Sequence, residues 1–114
     1  MEQPKLNNYL RAYRKRSGLS QHEVANILGL KSSSVVSHYE WSHYLPSLRT
    51  ALAMEVLFRV PVAQLFAGIR QTVEKEMEEQ LQKLESALQN ESGKGSMAAI
   101  TAKKLVWIME REIG

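Results

Sequence analysis

Apolar residues recur at three- and four-residue spacings in successive short segments, each bounded by a capping or breaking residue, and the pattern predicts a chain of helices. Leu6, Leu10 and Tyr13 give one inward face to a first helix from about Leu6 or Asn8 to Arg16, with Ser17-Gly18 as its stop. Ser20 is a good N-cap and Glu23, three positions on, closes a capping box, so a second helix starts at Gln21. Its Val24, Ala25 and Leu28 share a face, and Gly29 can take the left-handed conformation that ends it. A third helix begins within Ser32 to Ser34 and runs to about Glu40, with Val36 and Tyr39 inward. Ser47 caps a fourth, in which Leu48, Ala51, Leu52, Glu55 and Val56 trace the same spacing and Phe58 adds core volume. Pro61 breaks it, and a short fifth helix from Val62 to Phe66 contributes Leu65 and Phe66.

Past Gly68 the texture changes. Gln71 to Asn90 is rich in Glu, Gln, Lys, Leu and Met without Pro or Gly, and reads as one long helix. Val73, Met77, Leu81, Leu84 and Leu88 make a narrow stripe on it. From Met77 to Leu88 the stripe has the coiled-coil period for about a heptad and a half, which suits a homodimer seam or packing within the chain. Glu91 to Ser96, with Gly93 and Gly95, reads as a turn or linker. Ser96 then caps a last helix from Met97 to about Glu112, whose Ala98, Ala102, Leu105, Val106, Met109 and Ile113 share a face while Ile100, Trp107 and Ile108 lie off it. Residues 1–69 are thus expected to form one domain and residues 70–114 a helical extension for dimerisation or partner binding, with Met77, Leu81, Leu84, Leu88, Leu105 and Met109 as its interface. The fold class expected is all-α.

The third helix carries the candidate chemistry. With Val36 and Tyr39 inward, its outer face is Ser33, Ser34, Ser37 and His38, short, polar and uncharged. Such a face can lie in the DNA major groove and meet base edges without being locked onto phosphates. Charge supports this assignment. The net +3 of the 114 residues divides unevenly: residues 1–69 hold eight Lys or Arg against four Glu, and residues 70–114 seven against eight. Arg11, Arg14, Lys15 and Arg16 cluster on the first helix, where they suit its C-terminal dipole and also attract phosphate.

Gly18-Leu-Ser-Gln, then Val24-Ala, Leu28-Gly-Leu, Ser37-His-Tyr-Glu and Leu45-Pro-Ser together resemble the helix-turn-helix domain of the phage repressor and Cro class, the XRE-like transcriptional regulators, over roughly Leu6 to Phe66. The resemblance implies a five-helix domain whose third helix reads DNA, usually as a homodimer on a two-fold symmetric operator. It places Gln21 beside the DNA backbone, gives Ser33, Ser34, Ser37 and His38 the reading positions, and pairs Arg14 with Glu40 to tie the first helix to the end of the third. The sequence departs from the family at two points. Gly29 to Glu40 spans twelve residues where eleven are common, which makes Lys31 or one of the serines extra and adds Lys31 and Ser32 to the candidate contacts. After Glu40, where the family often has a Gly flanked by Lys or Arg, stands Trp41-Ser42-His43-Tyr44-Leu45, so phosphate contacts there fall to His43, Tyr44, the indole and backbone N–H groups.

Other classes find little support. No run approaches the ~18 to 20 apolar residues of a membrane span, Met1 to Lys5 has no signal-peptide core, and there is no cysteine, so a cytoplasmic location is expected. The chain has no Asp, its histidines His22, His38 and His43 lack the helical i, i+4 metal spacing, and Gly93-Lys94-Gly95 lacks the context of a phosphate loop. The expectation is a DNA-binding regulator that is not an enzyme and uses no cofactor and no metal. The alternative is an adaptor or antitoxin-type protein that binds a partner through its C-terminal helices.

Overall fold

The computed structural model describes residues 8–91 and 98–111. These form seven helices and no strand: α1 (Leu10–Ser17), α2 (Gln21–Leu28), α3 (Ser33–Glu40), α4 (Leu48–Phe58), α5 (Val62–Leu65), α6 (Ala67–Glu91) and α7 (Ala98–Glu110). Two compact units result, Met1–Thr72 and Val73–Gly114. The expectations for Leu6, for the turn at Gly93 and Gly95, for Ser96 and Met97, and for Glu112 and Ile113 lie outside the described residues.

Local chemistry sets most of the boundaries. Ser20 accepts from the Glu23 N–H at 3.0 Å while the Glu23 carboxylate accepts from the Ser20 N–H at 2.9 Å, which is the reciprocal capping box. Gly18 and Gly29 end α1 and α2 at φ 82° and 71°, where a Cβ would be strained. Ser47 caps α4 by accepting from the Thr50 N–H, and Arg59 at φ 60° turns the chain out of it. Pro61 precedes α5, whose first N–H, that of Val62, donates to the Glu55 carboxylate at 2.8 Å.

The first unit packs around two adjoining clusters. Leu10, Tyr39, Met54, Val60, Leu65 and Phe66 form one. Val24, Ala25 and Val36 form the other, and Leu28, Leu30 and Phe58 pack against both. Two inward faces differ from those the spacing predicts. On α4 the buried residues are Ala51 and Met54, whereas Leu48, Leu52 and Val56 are exposed. Both rows have helical spacing, and the partners offered by α1 and α5 decide which one turns in. On α7 Thr101 and Ile108 are buried, and Ala102, Val106 and Met109 are exposed. The packed row is Ala98, Thr101, Leu105, Ile108, a three-four-three register that Thr101 concealed in the sequence. The long helix also begins earlier than predicted, at Ala67, because Ile69 still packs on the first cluster.

Candidate nucleic-acid interface

Two short helices joined by the turn 29–32 put α3 on the outside of the first unit, and three side chains fix its far end. Glu40, with a fully buried side chain, accepts from Arg14 Nε at 2.5 Å, from Arg14 Nη2 at 3.3 Å and from Gln21 Nε2 at 3.1 Å. Arg14 Nη1 also donates to the Leu19 carbonyl at 3.1 Å. One carboxylate therefore links α1, the start of α2 and the end of α3. Asn8 is a second tie. Its Oδ1 accepts from the Leu10 N–H, and its Nδ2 donates to the Tyr39 carbonyl and to Ser42 Oγ.

The exit from α3 shapes the rest of the surface. The Ser42 N–H donates to the Tyr39 carbonyl and the His43 N–H to the His38 carbonyl, a Schellman pair that needs a left-handed residue at Ser42, φ 58°. The chain thereby folds back along the last turn of α3. His43 reaches His38 with Nδ1 to Nδ1 at 3.0 Å, so one ring donates and the other accepts. Tyr44 stacks on His38 at 4.7 Å between centroids and meets Tyr39 edge-on.

Ser34 is exposed, and Ser33, Ser37 and His38 are half-buried along the outer side of α3. Lys31 and Ser32 are exposed at its start, where Ser32 Oγ lies 2.6 Å from Ser34 Oγ. Between α3 and the first turn of α2 runs a groove of about 520 Å³ lined by Arg11, Ser20, Gln21, Ser33, Glu40 and Trp41, among others. The Arg11 guanidinium lies over the Trp41 ring, 5.6 Å from its centroid.

Of the four basic residues of α1, Arg14 is thus committed to Glu40 and Arg16 lies over Tyr13 at 4.9 Å. Lys15 and Arg16 remain exposed and Arg11 half-buried. The Gln21 amide is taken up by Glu40, and in the first turn of α2 the Glu23 N–H is taken up by Ser20 Oγ. Glu23 is held below the ordinary carboxylate value, first by the Ser20 N–H and then by its hydroxyl.

Sequence reasoning did not find Asn8, Ser42 or the His38–His43 contact, each of which depends on a meeting of the segment ahead of α1, or of the turn after α3, with the end of α3. The missing glycine after Glu40 was the available signal, since the fold still requires a left-handed residue there. Among the described residues no group of three or more His, Cys, Asp or Glu could hold a metal ion, and no helix is long and apolar enough to cross a membrane. Residues 10–65 match a family model described as helix-turn-helix, HTH_3. No curated protein and no solved structure matches the chain.

Proposed function

Because the chain carries over residues 10–65 a DNA-binding helix-turn-helix domain of the XRE-like family, we propose that it is a sequence-specific transcriptional repressor that reads the major groove with α3. The observation that carries this reading is the outer side of α3, three hydroxyls and an imidazole held in place by the Arg14–Glu40–Gln21 linkage. Ser33, Ser34, Ser37 and His38 meet base edges or the adjoining backbone. Lys31, Ser32, His43, Tyr44 and the start of α2 at Gln21 face phosphates, aided by Arg11, Lys15 and Arg16. Serine hydroxyls contact either kind of base, so DNA shape contributes to the choice of site. Two copies bind half-sites about 34 Å apart, joined through the unit after Thr72, in the cytoplasm of a prokaryotic or phage-infected cell.

A second reading takes its support from the exposed Ile100, Val106 and Trp107 of α7: an adaptor or antitoxin-type protein whose C-terminal helices hold another protein, with DNA binding secondary. A gel shift on the promoter region of the protein's own gene, run beside light scattering on the free protein, separates the two. A retarded, salt-sensitive complex from a dimeric protein supports the first; no shift at any salt concentration removes it.

A further inference from the structure

His38 is the titratable side chain among the four on the outer side of α3, and the turn after the helix holds a second imidazole against it. The His43 N–H donates to the His38 carbonyl at 2.8 Å, which brings the two Nδ1 atoms to 3.0 Å. Tyr44 stacks on the His38 ring, 28° from parallel. The backbone that makes this possible needs Ser42 at φ 58°, a strained conformation for serine. His38 is half-buried and His43 exposed, so both rings are held by the turn and the stack while their Nε2 atoms remain to meet a ligand. The titratable groups that face the pair are Tyr44 on His38 and Tyr39 edge-on to Tyr44. Glu40, next but one in α3, is turned in to Arg14 and Gln21, and Arg11 lies over Trp41.

Counting protons gives the pair a property that neither ring has alone. A hydrogen bond between two Nδ1 atoms takes one proton between them. A neutral pair carries two ring protons, so one is left for the two Nε2 atoms and a single Nε2 can donate. With one proton added, the contact persists and both Nε2 atoms donate. A second added proton places a hydrogen on each Nδ1 and breaks the contact. Beside a phosphate the Nε2 proton of the neutral pair belongs on His43. His38 Nδ1–H then donates to His43, and His38 Nε2 is a bare acceptor.

We propose that His43 is a positioning residue that determines specificity through His38: by fixing where the shared proton sits, it sets whether His38 offers a base an acceptor or a donor. The proposal rests on the reading of α3 as the helix in the major groove. In the neutral pair the His38 acceptor fits the amino group of cytosine N4 or adenine N6. Proton uptake turns it into a donor that fits guanine O6 or N7, or thymine O4. A histidine without a partner takes either tautomer when neutral, and so lacks the acceptor character at high pH.

The test carries the full chain and its His43→Phe variant, which keeps a ring in the turn and removes Nδ1, through selection from random duplex DNA at about pH 8.5 and about pH 5.5. Nitrogen NMR of the imidazoles, free and on the selected duplexes, assigns the protons. For the native chain, the preference at one base position should change from cytosine or adenine at the higher pH to guanine or thymine at the lower, by about fivefold, while the other positions stay as they are. On the duplex selected at the higher pH, His38 should carry its proton on Nδ1. His43→Phe should keep the native melting temperature, lose the preference for an amino-bearing base at the higher pH, and show a proton on His38 Nε2. A motif that the native chain enriches unchanged at both pH values overturns the proposal alone, as does the same reversal in His43→Phe. A chain that enriches no motif at either pH overturns the reading of α3 and the proposal with it.

Discussion

Glu40→Ala removes the one acceptor shared by Arg14 and Gln21. The guanidinium, 11% exposed, is then left with the Leu19 carbonyl at 3.1 Å as its remaining partner. Breaking a buried pair from one side costs about 3 to 5 kcal/mol. Arg14 keeps some access to water, which places the loss near the lower figure, about 3 kcal/mol. For a domain of this size that corresponds to a fall in melting temperature of roughly 12 to 24 °C. Thermal and urea denaturation followed by circular dichroism measure it directly. Replacing both partners, Arg14→Leu with Glu40→Leu, should cost much less than the sum of the single changes, because no unpaired charge remains buried. A melting temperature for Glu40→Ala within 3 °C or so of the native value, or a double variant as unstable as the two single losses added, would refute this reasoning. If Arg14 served phosphate instead, its removal would weaken DNA binding and leave the melt unchanged.

Three smaller perturbations follow from local geometry. Gly29→Ala meets no atom within 4 Å but must hold φ 71°, so urea unfolding should show a loss of about 1 kcal/mol from backbone strain alone; no loss would mean that the α2 stop lies elsewhere. Ser42→Ala keeps the left-handed strain and gives up the bond from Asn8, an expected loss of about 1 to 2 kcal/mol, whereas Ser42→Gly relieves the strain and should stay within about 0.5 kcal/mol of native. Glu78 lies below its ordinary value of 4.5, chiefly through its hydrogen bonds from Arg111. Its contribution to holding Arg111, at the end of α7, against α6 is therefore complete above that value and is lost as pH falls through the lowered one. Carboxyl NMR titration of Arg111→Gln should show the Glu78 midpoint rising toward its ordinary value, and an unmoved midpoint would deny the coupling.

What was legible in the sequence was local. Ser20 and Glu23 are three residues apart, Gly29 and Pro61 act through their own backbone, and the helices they bound were read within a residue or two. The inward faces of α4 and α7 were less legible because two rows on each helix have the same period. Leu48, Leu52 and Val56 look as inward as Ala51 and Met54 until α1 and α5 are in place. Within the candidate interface, the polar outer row of α3 follows from Val36 and Tyr39 turning in. The pairing of Arg14 with Glu40 entered through resemblance, since 26 residues separate the two and spacing alone does not connect them. Asn8 acts on Tyr39 and Ser42 from more than 30 residues away, and the His38–His43 contact exists only because Ser42 takes a conformation that serine rarely adopts. Such long-range or strained features leave no periodic trace.

Selection of binding sites from a pool of random duplex DNA tests most directly whether α3 reads sequence. The native chain and its Ser33→Ala, Ser34→Ala, Ser37→Ala and His38→Ala variants are carried through the same selection. The native chain should enrich a two-fold symmetric motif, and at least Ser34→Ala should lose preference at one position in each half-site, on the order of 1 kcal/mol in discrimination, with an unchanged melting temperature. Enrichment of one identical motif by the native chain and all four variants would contradict the assignment of α3 as the reading helix, and no enriched motif at all would contradict sequence-specific binding.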